Sequence, residues 1–235
     1  MCTVIFHRSG NEILIASNRD EQIDRPAAVP PSVHQVHGRK MLFPQDAKAG
    51  GTWIVADEAG GVAVLFNGAF TKHVPEKNYR LSRGLVLIDL LGPGSFQDNF
   101  NGYTLAGIEP FSVVYFQQPG LWLFRWDGLQ KHSEVLDTHQ SYLWASATLY
   151  DEEQWATKMQ RFEQWKRLQT KPTAEGLLRF QMEQQTLENR LPLKTVSSTS
   201  IALSTEKINM LYADHRLAEL STTALSIKPQ LIHCQ

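Results

Sequence analysis

Cysteine is nearly absent from this chain, which has only Cys2 and Cys234 among 235 residues. Two thiols cannot build a disulfide scaffold and suit a reducing compartment, although a bridge between them stays open from sequence. An excess of one charge is missing too. With 23 basic and 24 acidic residues the formal net charge is -1, which leaves nothing to neutralise a phosphate backbone, so nucleic-acid binding is not expected. No apolar run approaches the roughly 18 residues of a membrane span, and the N-terminus lacks a basic region, an apolar stretch and a small-residue cleavage site. The expectation is a cytoplasmic protein with no membrane span. There is no phosphate loop and no dinucleotide-binding glycine fingerprint. Of the 8 histidines, His34 and His37 form a pair, but in a Pro-containing segment away from any helix and without cysteine or carboxylate partners at ligand spacing. No metal and no cofactor are therefore expected. A haem axial ligand would have to come from His7, His73 or Cys2, and the sequence does not choose among them.

What is present is a chain 42% hydrophobic and 20% charged, long enough for one domain spanning residues 1–235 with a proper core. Short apolar runs at 3–7 and 13–17 flank Arg8-Ser9-Gly10-Asn11 and predict a β-hairpin. Residues 52–56 and 62–66 predict a second hairpin around 57–61. Runs at 111–116, 121–126 and 132–136 predict a meander, and 195–203 with 207–212 the last strand pair. Helical spacing is seen over 77–91, 154–168 and 173–184, with Thr173 as a cap for the last. In the run Ser197-Ser198-Thr199-Ser200, the two-residue period places Ser197 and Thr199 on one face and Ser198 and Ser200 on the other.

The candidate chemistry sits at the very start. If Met1 is removed, Cys2 carries a thiol of pKa about 8.5 and an α-amine of roughly 7.7 to 8, so near neutrality one group accepts the proton the other releases. The competing reading is a small buried thiol at the head of a strand. The first hairpin returns Asn18-Arg19-Asp20-Glu21 to the start of the chain. There Arg19 can favour thiolate and Asp20 can hold the ammonium, or the two can form an ordinary surface ion pair.

Met1-Cys2, Asn18-Arg19-Asp20-Glu21 with Arg25-Pro26, Gly50-Gly51-Thr52-Trp53 and Ser82-Arg83-Gly84, in that order, resemble the NRDE family, also called the Transport and Golgi organisation protein 2 family. The resemblance spans nearly the whole chain. It implies an α+β fold like that of N-terminal nucleophile hydrolases, a four-layer αββα sandwich of two stacked antiparallel sheets. It also implies links to lipid and coenzyme A metabolism and to haem trafficking, without one agreed reaction.

On this resemblance Cys2, Arg19, Asp20 and Asn67 are the candidate catalytic residues, and Asn18, Arg83, Ser146 and Thr148 the candidate substrate contacts. Asn67 resembles the oxyanion-hole Asn of choloylglycine hydrolases, but Asn67-Gly68 equally suits a type I′ turn. Arg83 is either an anion contact or a solvated helix charge, and Trp53 a core aromatic or a ligand platform. At the place where eukaryotic members and choloylglycine hydrolases carry a further Asn, this chain has Ala147, with Ser146 and Thr148 as alternative donors. Two functions follow. One is cysteine-dependent hydrolysis or acyl transfer on a small amide or thioester. The other is non-catalytic binding of a lipophilic ligand such as haem or an acyl conjugate.

Overall fold

The computed structural model describes residues 3–147, 152–185 and 193–228. Strand β1 (Thr3–Ser9) turns at Gly10, whose φ of 60° suits glycine, into the long β2 (Glu12–Gln22). These two form the heart of a six-stranded antiparallel sheet. Its order is β10 (Tyr142–Ala145), β1, β2, β11 (Leu193–Leu203), β12 (Lys207–Asp214) and β13 (Glu219–Ser226). The second sheet runs in sequence order through β3 (Val29–Val36), β4 (Arg39–Gln45), β5 (Ile54–Asp57), β6 (Val62–Asn67), β7 (Phe111–Gln117), β8 (Gly120–Trp126) and β9 (Lys131–Leu136).

Alternation along the strands builds the layers. Val4, Phe6, Ile13, Ile15 and Ile201 of the first sheet meet Leu42, Ile54, Val64 and Val114 of the second to form the inter-sheet core. The opposite face of the first sheet, with Ile5, Leu14 and Ala16, is covered by Phe162 and Trp165 of α3 (Glu152–Leu168) and by Leu177 and Phe180 of α4 (Ala174–Gln185). Thr173 Oγ1 accepts the Gly176 N–H at 3.1 Å and starts α4 where the sequence places its cap. The outer face of the second sheet is covered by α1 (Arg83–Leu90) and α2 (Phe96–Gly102) through Leu87, Leu90, Phe96 and Phe100. The result is the expected αββα order. Among the described residues no helix is long and apolar enough to cross a membrane.

Two expectations need correction: the strand pair read as the last is followed by β13, which pairs with β12, and one helix is shorter. The helix predicted over 77–91 begins only at Arg83, because the Ser82 hydroxyl caps the Leu85 N–H and Arg80 N–H donates instead to the Gly107 carbonyl at 2.8 Å. The histidine pair belongs to the unanticipated β3–β4 hairpin. His34 stacks on Phe43 with centroids 4.1 Å apart, and His37 occupies the turn with φ 50° beside Gly38 at 75°. Among the described residues no three His, Cys, Asp or Glu side chains are placed to hold a metal. Pro30 and Pro31 are tolerated in β3 because this edge strand bulges between Val29 and Ser32, so neither proline takes a ladder position against β4.

Candidate active site

Strand β2 carries the polar end of the first hairpin into the interior, where Ser17, Asn18, Arg19 and Asp20 are all buried. Its two-residue period separates them. Asn18 points toward α4, donating from Nδ2 to the Gln181 carbonyl at 3.1 Å and accepting the Ser198 hydroxyl at 2.7 Å. Asp20 shares that parity and accepts the Thr195 hydroxyl at 2.5 Å. Arg19 points the other way, between the sheets, with its guanidinium carbon 4.8 Å from the Trp53 ring centroid. The register Ser197 to Arg19 and Ser198 to Asn18 decides which face each hydroxyl of β11 takes. Ser197 and Thr199 lie on the inter-sheet face, Ser198 and Ser200 toward the helices.

Arg19 enters an ion cluster whose hub is Asp46. Arg19 Nη2 donates to Asp46 Oδ2 and lies 3.4 Å from Glu21, while Arg25 grips both Asp46 oxygens at 2.9 and 3.0 Å. The Lys48 and Ala49 amides add bonds of 3.0 and 2.7 Å to Oδ1. Burial pushes the Asp46 carboxyl up, but the Arg25 hydrogen bond, the Ala49 amide and the Arg19 charge outweigh it and hold the group down at about 2. Bidentate pairing with a planar guanidinium fixes direction as well as charge.

This cluster forms one side of a cleft of about 140 Å³ lined also by Gly51, Thr52, Trp53, Asn67, Arg83 and Gly84. The glycines are there because two backbones touch. A Cβ on Gly51 would lie 2.5 Å from the Gly84 carbonyl carbon, and one on Gly84 would lie 2.7 Å from the Thr52 oxygen, while Thr52 N–H donates to Gly84 O at 3.2 Å. Neither neighbour is a side chain able to swing aside. Gly84→Ala is expected to cost about 1–3 kcal/mol through this overpacking, read as a lower denaturation midpoint by circular dichroism; an unchanged midpoint would show that the wall can relax.

The sequence pattern of the family described as Transport and Golgi organisation 2 matches residues 1–229. The chain belongs to this family. No curated protein matches it. Among solved structures, a conjugated bile acid hydrolase from Clostridium perfringens, with alanine in place of the cysteine at its second position, aligns at TM-score 0.60 and 7% identity over 97% of each chain. An arginine-to-leucine variant of the same enzyme gives the same values. The Caenorhabditis elegans ortholog of N-acylethanolamine-hydrolyzing acid amidase aligns at 0.57 and 12%, covering 85% of this chain and 92% of that one. The fold is therefore that of the N-terminal nucleophile hydrolases.

In this Transport and Golgi organisation 2 family member, the motifs Arg19 to Arg25, Gly51 to Trp53 and Ser82 to Gly84, far apart in sequence, meet in the same cleft. Asn67 lies on its wall at the end of β6, paired with Phe111, and only Gly68 takes a positive φ, 79°. A type I′ turn, which needs positive φ at both central residues, is thereby excluded for Asn67. Ser146 is buried and donates to the Asn67 carbonyl at 2.7 Å, joining the two sheets at the cleft. Arg83 reaches the cleft but pairs with Glu109 at 2.8 Å and donates to the Pro110 carbonyl at 3.1 Å. Asn18 and Asp20 are on the opposite face of the sheet. Cys2 and Thr148 lie outside the described residues. Sequence reasoning missed Asp46; its one signal is an Asp opening the turn that leads into Gly50-Gly51.

Proposed function

We propose that this protein is an N-terminal cysteine hydrolase or acyltransferase acting on a small amide or thioester, with Cys2 as nucleophile once Met1 is removed. The observation that carries this reading is the Arg19 guanidinium. It is 4% exposed, and its Nη1 has no hydrogen-bond acceptor among the described residues. An unsatisfied buried donor costs about 1–3 kcal/mol or more when charged, and an anion beside it offsets that cost. The peptide bond ties Cys2 to Thr3 with Cα atoms about 3.8 Å apart, and Val4 pairs with Ser17, two residues before Arg19. A Cys2 thiolate is an anion of the right chemistry for that donor, and a neighbouring guanidinium lowers a thiol pKa.

The chemistry then balances with water alone. The α-amine takes the thiol proton, sulfur forms a bond to the carbonyl carbon, and Asn67 donates to the developing oxyanion. The carbon–nitrogen or carbon–sulfur bond breaks as the α-ammonium returns its proton to the leaving group. Water, activated by the same amine, then cleaves the acyl-cysteine, or a second amine or thiol accepts the acyl group. Trp53 and Arg83 contribute the walls that hold a small substrate. The neighbours named as a conjugated bile acid hydrolase and an acid amidase support this reaction class, and the substituted forms of the former alter a cysteine and an arginine, the two residue types central here.

Intact mass of protein made from its native start, before and after mixing with an acyl thioester, tests the reading. A mass lacking Met1 that then gains one acyl group on Cys2 supports it. Retained Met1 in the native host removes the base and sinks the mechanism, and binding of haem or an acyl conjugate becomes the assay of the non-catalytic alternative.

A further inference from the structure

Helix α4 packs its apolar residues Leu177 and Phe180 against the outer face of the first sheet, but between them and the head of β1 it buries an amide. Gln181 is 0% exposed. Its Nε2 donates to the Thr3 carbonyl at 3.4 Å, and its own main-chain carbonyl is fixed by Asn18. Asn18 is fixed in turn by the Ser198 hydroxyl, which lies 2.8 Å from His215 Nε2. Because Ser198 gives its one proton to the Asn18 oxygen, His215 Nε2 carries the proton in that last bond.

This five-residue network ends on Thr3, the residue that follows Cys2. It holds one acceptor that nothing fills: Gln181 Oε1 is buried and has no hydrogen-bond donor among the described residues. Leaving a carbonyl oxygen so costs its full desolvation penalty, at a helix position where an apolar side chain would pack without that loss. A buried unsatisfied group in an otherwise well-bonded layer calls for a partner.

We propose that Gln181 is a positioning residue for the reactive N-terminus, its Oε1 accepting a hydrogen bond from the Cys2 α-amine after Met1 is removed. This rests on the N-terminal nucleophile reading above. Cleavage converts a one-donor amide N–H into an amine with two or three donors, which supplies what Oε1 lacks. The choice of amide over carboxylate has a chemical consequence. A neutral acceptor orients the amine without adding negative charge, so the amine stays a base near neutrality, whereas a carboxylate at the same place stabilises the ammonium. The titratable groups on the same side of the sheet include Asp20 on β2, Lys158 and Arg161 on α3, and His215 after β12.

The test measures the α-amine titration directly, by competitive acetylation across pH with peptide mass spectrometry, alongside iodoacetamide alkylation of Cys2 resolved from Cys234. Gln181→Glu is expected to move the amine midpoint up by about 1–3 pH units, the effect of an opposite charge at this range. Gln181→Met is expected to slow Cys2 alkylation at pH 7 by about tenfold with a melting temperature equal to or above that of the wild type. An amine midpoint unmoved in Gln181→Glu, in protein whose wild-type Cys2 reacts normally, overturns the positioning role and leaves the nucleophile reading standing. Wild-type protein that lacks Met1 yet shows no enhanced Cys2 reactivity over Cys234 overturns both.

Discussion

Cys2→Ala protein is expected to retain its circular dichroism spectrum and melting temperature while losing turnover of any amide or thioester the wild type cleaves by roughly ten-thousand-fold or more, the scale on which removal of a nucleophile acts. The substitution removes one sulfur from the residue before β1. The ladder that holds that strand begins after it, with Val4 to Ser17 on one side and Thr3 to Ala145 on the other, and none of those pairs changes. What is lost is the electron pair that attacks the carbonyl. Cys2→Ser separates chemistry from binding. The α-amine and Arg19 stay in place, but a hydroxyl is a far weaker acid than a thiol and gains little from one guanidinium, so ligand affinity is kept while the acyl adduct forms much more slowly. Steady-state kinetics with adduct mass spectrometry reads both. Undiminished turnover in Cys2→Ala would remove Cys2 from the mechanism.

Asp46→Ala is expected to destabilise the fold by about 3–5 kcal/mol, the cost of stranding a buried charge by removing its partner. Arg19, with a side chain 5% exposed, keeps among the described residues only the Glu21 carboxylate at 3.4 Å, and Arg25 loses a bidentate partner. The Lys48 and Ala49 amides lose their acceptor as well, so the turn into Gly50-Gly51 loosens and the cleft wall with it. Asp46→Asn keeps the shape and the amide acceptor and loses only the charge, which makes it the milder variant.

The same carboxylate sets an acid limit. Its folded pKa, about 2, lies below the ordinary 3.8, so the unfolded state binds the extra proton between those values. The stabilisation is complete above about pH 4 and is lost as pH falls toward 2, with a size of roughly 2 kcal/mol. Urea denaturation between pH 5 and 2 should show this slope in the wild type and a shallower one in Asp46→Asn. Equal slopes would mean that the ion cluster does not hold Asp46 ionised.

Much of this fold is legible from the chain alone because its strands alternate cleanly. The hairpin of β1 and β2, the pair of β5 and β6, the meander from β7 to β9 and helices α3 and α4 all follow from apolar periodicity and turn residues, and the motif order gives the family. Strand β3 hides behind Pro30 and Pro31, whose edge position cannot be known before the sheet is assembled. The shortened α1 hides because its apolar spacing continues past the point where Ser82 caps it.

For the candidate site, the sequence supplies the residue types and, through the period of two, the fact that Arg19 and Asp20 part company with each other's face. Tertiary structure alone decides which layer each face meets. It turns Arg19 toward Trp53 and Asp46, gives Asn18 to Gln181, commits the Ser146 hydroxyl to Asn67, and makes Gly51 and Gly84 neighbours although 33 residues separate them. Alternation is a local property of the backbone, written in every few residues. Pairing of charges, orphaned donors and touching backbones depend on how the sheets and helices stack, and no short stretch of sequence carries that information.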